Sequence, residues 1–165
     1  MSRRVTPLGD GRVRVELPAN EHDMLHSLPA QLRPVLSGEH DVAGARDRLF
    51  PPAYDDPEDE AGYRDLIGSD LADERLAAVE AFAETLEEGT LGRRGWSVEL
   101  TAEQGHAWLS ATNDARLLLA SVVGIASEEQ WDEGPEPGDP VGAALWYLGW
   151  LQDTLIGALT DPRRT

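Results

Sequence analysis

Residues 101–125, TAEQGHAWLSATNDARLLLASVVGI, decide the fold. Thr101 and Gln104 form the pattern of a capping box, in which the N-cap hydroxyl accepts the N3 amide and the N3 side chain returns to the N-cap amide. The box predicts a helix running past Trp108 to about Ile125. From Leu117 to Val123 this helix is apolar nearly all round, which marks a central, buried element. A second rod of the same kind, residues 141–159, VGAALWYLGWLQDTLIGAL, can lie beside it. Its apolar run Val141–Leu151 falls short of the ~20 residues that a membrane span needs, so it reads as a core or interface helix.

Polar residues interrupt both rods. Asn113, Asp114 and Arg116 sit mid-helix, where Asn and Asp are mediocre helix formers. Asn113 and Arg116 are three apart and share a face. An arginine entering a packed bundle needs an acidic partner, because an unpaired buried charge is costly. Asp153, at the polar break Gln152-Asp153-Thr154, is the preferred partner, with Glu80 or Glu84 in reserve. The expectation is a network of Asn113, Asp114, Arg116 and Asp153 that fixes the register of the two rods. The alternative is a polar pocket or a subunit contact.

The remaining segments arrange themselves around these rods. Residues 70–88 predict a third core helix, capped by Asp70 and stopped by Gly89, with Leu76, Val79, Phe82, Ala83 and Leu86 facing inward and Asp73, Glu80, Glu84, Glu87 and Glu88 facing out. A short helix over about 58–67 should end near Gly68. Residues 20–37 predict a helix capped by Asn20, with the stripe Leu25, Leu28, Leu32 and Leu36 and a kink or division at Pro29. Residues 38–60 read as a proline-rich acidic linker, pinned by the aromatics of Leu49-Phe50-Pro51-Pro52-Ala53-Tyr54 and solvated at Asp55–Glu60. Residues 127–140 read as a second acidic linker. Residues 2–17 alternate like a β-hairpin around Gly9-Asp10-Gly11, and Trp96–Leu100 could add a third strand. The fold class is therefore mainly α (α+β): one domain over 1–165, a helical bundle with a small antiparallel hairpin or three-stranded sheet near the N-terminus.

The chain of 165 residues carries fourteen Arg, no Lys and 31 acidic residues, for a net charge of −17. That charge disfavours nucleic acid and anionic lipid and favours basic partners. With no Cys, disulfides, thiolate catalysis, cysteine-ligated zinc and iron–sulfur clusters are excluded from these residues. With no Lys, so are a Walker A lysine and a Schiff base. No cofactor is implied. The first residues, Met1–Gly9, have arginines but no apolar run behind them, so a cytoplasmic location is expected.

Three features could carry function. His22 and His26 are four apart on a predicted helix and could share a metal, given a third ligand from His40, Asp41 or His106. The plainer reading leaves both histidines on a solvated first turn. Arg3, Arg4, Arg12 and Arg14 make the hairpin a local basic patch, able to meet phosphates or simply to blunt a sheet edge. Trp131 stands alone in the second linker, as a lid on the core or an anchor for a partner.

Leu49-Phe50-Pro51-Pro52-Ala53-Tyr54, Thr101-x-x-Gln104 through Trp108-Leu109, Asn113-Asp114-Ala115-Arg116-Leu117 and Leu148-x-Trp150-Leu151-Gln152 together resemble an actinobacterial family of unknown-function proteins. The resemblance runs through most of the chain in order. It implies a small cytoplasmic protein, often encoded beside the ClpS protease adaptor. Some members are described as oxidative-stress transcriptional regulators that work through a sigma factor and sense oxidants by a cysteine pair. This chain has no cysteine, so the disulfide mechanism does not carry over. The resulting expectation is a non-enzymatic regulatory or adaptor protein that binds a protein partner, such as a sigma factor or another transcription component. Its over-apolar rods suit a homodimer as well as a well-packed central pair. The alternatives are a DNA-binding regulator using the arginine-rich hairpin and a metal-dependent hydrolase at His22/His26.

Overall fold

Period-two alternation builds the sheet. A computed structural model of the chain describes residues 3–41, 44–124 and 138–161. Strands β1 (Arg4–Gly9), β2 (Arg12–Leu17), β3 (Thr90–Gly92) and β4 (Gly95–Leu100) form one antiparallel sheet in the order β1-β2-β4-β3. The third strand expected at Trp96–Leu100 is β4, and β3 adds a fourth that the sequence reading did not include. Val13, Val15 and Leu17 pair with Leu100, Val98 and Trp96, and all six are buried. The intervening Arg14 and Glu99 face each other on the outer surface. The β1–β2 turn places Asp10 and Gly11 at positive φ, 54° and 76°, as a tight primed hairpin turn requires.

Six helices follow among the described residues: α1 (Ala19–His26), α2 (Leu28–Ser37), α3 (Ala45–Leu49), α4 (Pro57–Glu88), α5 (Ala102–Val123) and α6 (Pro140–Leu159). The capping box at Thr101 and Gln104 is present in both directions, at 2.9 and 3.1 Å. Helix α5 packs most extensively against α6 and α4, so the two rods do lie side by side. No described helix is long and apolar enough to cross a membrane.

Several local expectations are corrected. Residues 58–67 and 70–88 are one helix of 32 residues, α4. Asp56 caps it, accepting from the Glu58 amide at 3.2 Å, and Pro57 opens it, where its missing N–H costs nothing. Gly68 does not end α4 and Asp70 does not cap it, because a helical glycine costs only about 1 kcal/mol and Leu71, Ala72 and Leu76 continue the packed face. The 20–37 helix is two. Its division falls at Ser27, so Pro29 lies in the first turn of α2, while Asn20 lies inside α1 behind an N-cap at Pro18. The leucine stripe Leu25, Leu28, Leu32, Leu36 is buried as expected. Residues 38–60 are not all linker, since they contain α3 and the first turn of α4. Phe50 pins that segment to the core, whereas Tyr54 is half-exposed and meets Tyr63 edge-on. Asp55–Glu60 is not simply solvated, because the Glu60 carboxylate accepts the Ala53 and Tyr54 amides at 2.8 and 3.0 Å. Most of the second linker lies outside the described residues.

An aromatic column joins the sheet to the helices. His22 stacks on Trp96, Trp96 lies parallel to Trp108 at 6.3 Å, and Phe82 meets Trp108 edge-on at 4.8 Å. The buried Trp108 indole N–H donates to Thr85 Oγ1 at 2.7 Å, and that hydroxyl donates to the Phe82 carbonyl. Gly89 closes α4 directly against this column, where a Cβ would stand 2.3 Å from the Trp96 ring.

Two glycine substitutions should therefore act in opposite directions. Gly89→Ala forces the Trp96 ring to move and should destabilise the protein by about 2–3 kcal/mol. Gly68→Ala, where a Cβ meets only the Arg64 Cβ at 3.8 Å, should stabilise it by about 0.5–1 kcal/mol. Denaturant midpoints of the two variants check both signs.

Candidate functional site

The polar residues of the rods divide between two interfaces. Residues three apart on a helix share a face, whereas the next residue along is turned by about 100°. Asn113 and Arg116 accordingly face α6, and Asp114 faces α4. Arg116 donates through Nη1 to Gln152 Oε1, and Gln152 Nε2 donates to Asn113 Oδ1 at 3.4 Å. The side chain met across the interface is thus Gln152, one position before the expected Asp153. Asp153 is exposed and supplies favourable charge, while burial pulls the Arg116 guanidinium below its ordinary value. Glu80, held in reserve for Arg116, pairs with Arg33 instead, at 2.5 and 3.2 Å. Glu84 is exposed.

Asp114 does not join Arg116. It is 2% exposed, and its Oδ1 lies 3.5 Å from Arg75 Nη1 on α4. Among the described residues its Oδ2 accepts no hydrogen bond. Burial pushes its carboxyl up to about 6, against a smaller downward pull from Arg75. Arg75 is the residue that the sequence reading missed. Its only local sign is a cation beside the inward residues Leu76 and Val79.

The hairpin arginines are largely spent. Glu99 accepts from Arg12 and Arg14 at 3.0 and 2.7 Å, which also holds its carboxyl below the usual range. Arg3 pairs with the largely buried Glu21 at 2.6 Å and lies over the Tyr147 and Trp150 rings of α6. Burial, with Glu21 beside it, pushes the Tyr147 phenol upward. Arg4 has no ion-pair partner among the described residues. Glu99 and Glu21 were not singled out from the sequence, because their roles depend on strands and helices far apart in the chain.

The histidines point to different acceptors. His22 Nε2 donates to the Leu86 carbonyl at 2.9 Å, and His26 Nε2 meets the Glu87 carboxylate. The expected solvated turn is half right: His26 is exposed, but the His22 side chain is only 18% exposed and stacks on Trp96. Among the described residues no group of three His, Asp or Glu could hold a metal ion. Trp131, and with it the expected lid or anchor, lies outside the described residues.

Some apolar side chains of the two rods reach solvent. Val122 and Val123 end α5 in solvent, and Trp146 and Ile156 are 40% and 44% exposed on α6.

A family model described as "Domain of unknown function (DUF2017)" matches residues 2–159. A protein of Mycobacterium leprae (strain TN) named "Putative oxidative stress regulator AosR" is 30% identical over 118 residues, which make up 69% of this chain and 51% of that protein. The chain therefore spans about half the length of that relative. No solved structure matches.

The buried Asp114 yields a pH signature. Its folded value of about 6 lies above its ordinary 3.8, so the native state holds this proton more tightly than the unfolded chain. The stability this confers is complete below about 3.8 and is lost as pH rises through about 6, amounting to roughly 3 kcal/mol. Asp114→Asn removes the titration. Relative to the parent, the variant should gain stability as pH is raised from about 4 to about 6, and the difference should level off above about 7. Denaturant unfolding across that range measures it, and a difference independent of pH would show that Asp114 is not desolvated.

Proposed function

The chain belongs to the DUF2017 family, and from that premise we propose that it is a non-enzymatic regulator that acts by binding another protein in the control of an oxidative-stress response. The observation that carries the reading is the set of exposed apolar side chains on α5 and α6, Val122, Val123, Trp146 and Ile156. A large aromatic on such a surface is a typical anchor for a partner. The net charge of −17 adds long-range attraction for a basic partner, such as a sigma factor or another component of transcription. A second copy of the chain could use the same surface. The name of the Mycobacterium leprae relative supplies the oxidative-stress setting.

Two observations favour this reading over its rivals. Glu99 pairs with both Arg12 and Arg14 and offsets part of their charge, which weakens the hairpin's attraction for a DNA backbone. Asn113, Asp114, Arg116 and Gln152 of the rods are engaged in helix-to-helix contacts. With no cysteine among these residues, the chain's part in the response does not pass through a thiol of its own.

Deleting the gene in its host and challenging with peroxide tests the proposal. Transcripts of oxidant-response genes should change in the deletion strain and return with the wild-type gene. A Trp146→Glu/Ile156→Glu double variant that keeps its circular dichroism and melting transition should fail to restore them. An unchanged transcript profile on deletion, or full restoration by the folded double variant, would refute it.

A further inference from the structure

We propose that the cleft between α2–α3 and the first half of α4 binds a small molecule with an oxyanion head, phosphate or carboxylate, on an apolar body. This inference does not rest on the regulatory reading. The cleft has a volume of about 670 Å³, within the size range of small-molecule sites. Three arginines, Arg46, Arg64 and Arg75, line it in a chain where acids outnumber arginines by more than two to one.

The three share one anchor. The Arg46 and Arg75 guanidinium carbons lie 4.9 and 4.8 Å from the centre of the Phe50 ring, and Arg64 Nη2 donates to the Phe50 carbonyl at 2.8 Å. Backbone carbonyls hold the guanidiniums in place. Arg46 Nη1 donates to Val35 and Leu36 at the end of α2, and Arg75 Nη1 donates to Leu49. Each guanidinium carries five N–H donors, and these bonds use only Nη1 of Arg46 and of Arg75. The remaining donors are preorganised rather than spent.

Arg64 pairs with Glu60 at 2.8 Å, but the charges of Arg46 and Arg75 are under-compensated. Arg3, Arg12, Arg14 and Arg33 each have a carboxylate oxygen within 3.0 Å. The Arg46 side chain forms no ion pair among the described residues, and Arg75 has only Asp114, at 3.5 Å. Glu60, which also lines the cleft, is already committed to Arg64 and to the Ala53 and Tyr54 amides. Asp73 at the rim is exposed. A part-buried cation without a counter-ion is costly, and a planar guanidinium recognises phosphate and carboxylate through paired hydrogen bonds. The apolar remainder of the wall, including Leu71, Ala72 and Leu76 of α4, suits the body of the same molecule.

Phenyl phosphate and benzoate are the probes, with benzyl alcohol as the uncharged control. They are titrated into the full chain and followed by amide NMR shifts and melting temperature. At least one anion should shift the amides around Arg46, Phe50, Tyr63, Arg64 and Arg75 saturably and raise the melting temperature, and benzyl alcohol should do neither. Phenyl phosphate alone would assign a phosphate ester and benzoate alone a carboxylate. Arg46→Gln should weaken binding roughly tenfold or more. Gly68→Phe keeps every charge and fills the cleft from α4, at a position with room for a side chain, and it should also abolish binding. Absence of saturable binding by either anion, equal binding of benzyl alcohol, or binding that survives either substitution in a folded protein would overturn the proposal.

Discussion

The indole N–H of Trp108 has one place to go. The ring is fully buried, and in a dry core an unpaired donor costs about 1–3 kcal/mol. Thr85 on α4 accepts it, and the threonine hydroxyl passes its own hydrogen to the Phe82 carbonyl. That short chain sets the register of α4 on α5. The ring stack from Trp108 through Trp96 to His22 then ties both helices to the sheet and to α1. The close approach of Gly89 follows from the same constraint, because α4 must end where the Trp96 ring lies.

Helix α5 works under this rule along its length. Enclosed by α4 and α6, it can carry a polar side chain only where that group bonds back to its own helix or meets a partner on a neighbour. Thr112 and Ser121 take the first course, donating to Trp108 and Leu117 carbonyls. Asn113 and Arg116 take the second with Gln152, and Asp114 with Arg75. The arrangement specifies how the helices sit, and it leaves Asp114 incompletely satisfied, with its carboxyl displaced toward neutrality.

Arginine is the staple of this protein. Arg12 and Arg14 grip Glu99 across the sheet, Arg33 grips Glu80 between α2 and α4, and Arg46, Arg64 and Arg75 hold carbonyls of the 35–50 segment. Most carboxylates stay outside and form an anionic shell. The proposed functions draw on what this scheme leaves exposed: apolar side chains on α5 and α6, and the arginine-lined cleft beside α4.

Local chemistry was legible in the residues. The capping box, the leucine stripe, the alternation of β2 and β4 and the two apolar rods depend on neighbours within a few positions, and short-range sterics and hydrogen bonding decide them. The same pattern told which faces are buried, and hence that Asn113, Asp114 and Arg116 need partners. It did not tell which partners. Gln152 and Asp153 differ by one position, and only the rotation of α6 about its axis chooses between them. Arg75 reaches Asp114, and Glu99 reaches Arg12 and Arg14, because tertiary packing brings distant segments together. The continuity of α4 through Gly68 was decided the same way: packing on the rest of the molecule outweighed a local preference worth about 1 kcal/mol.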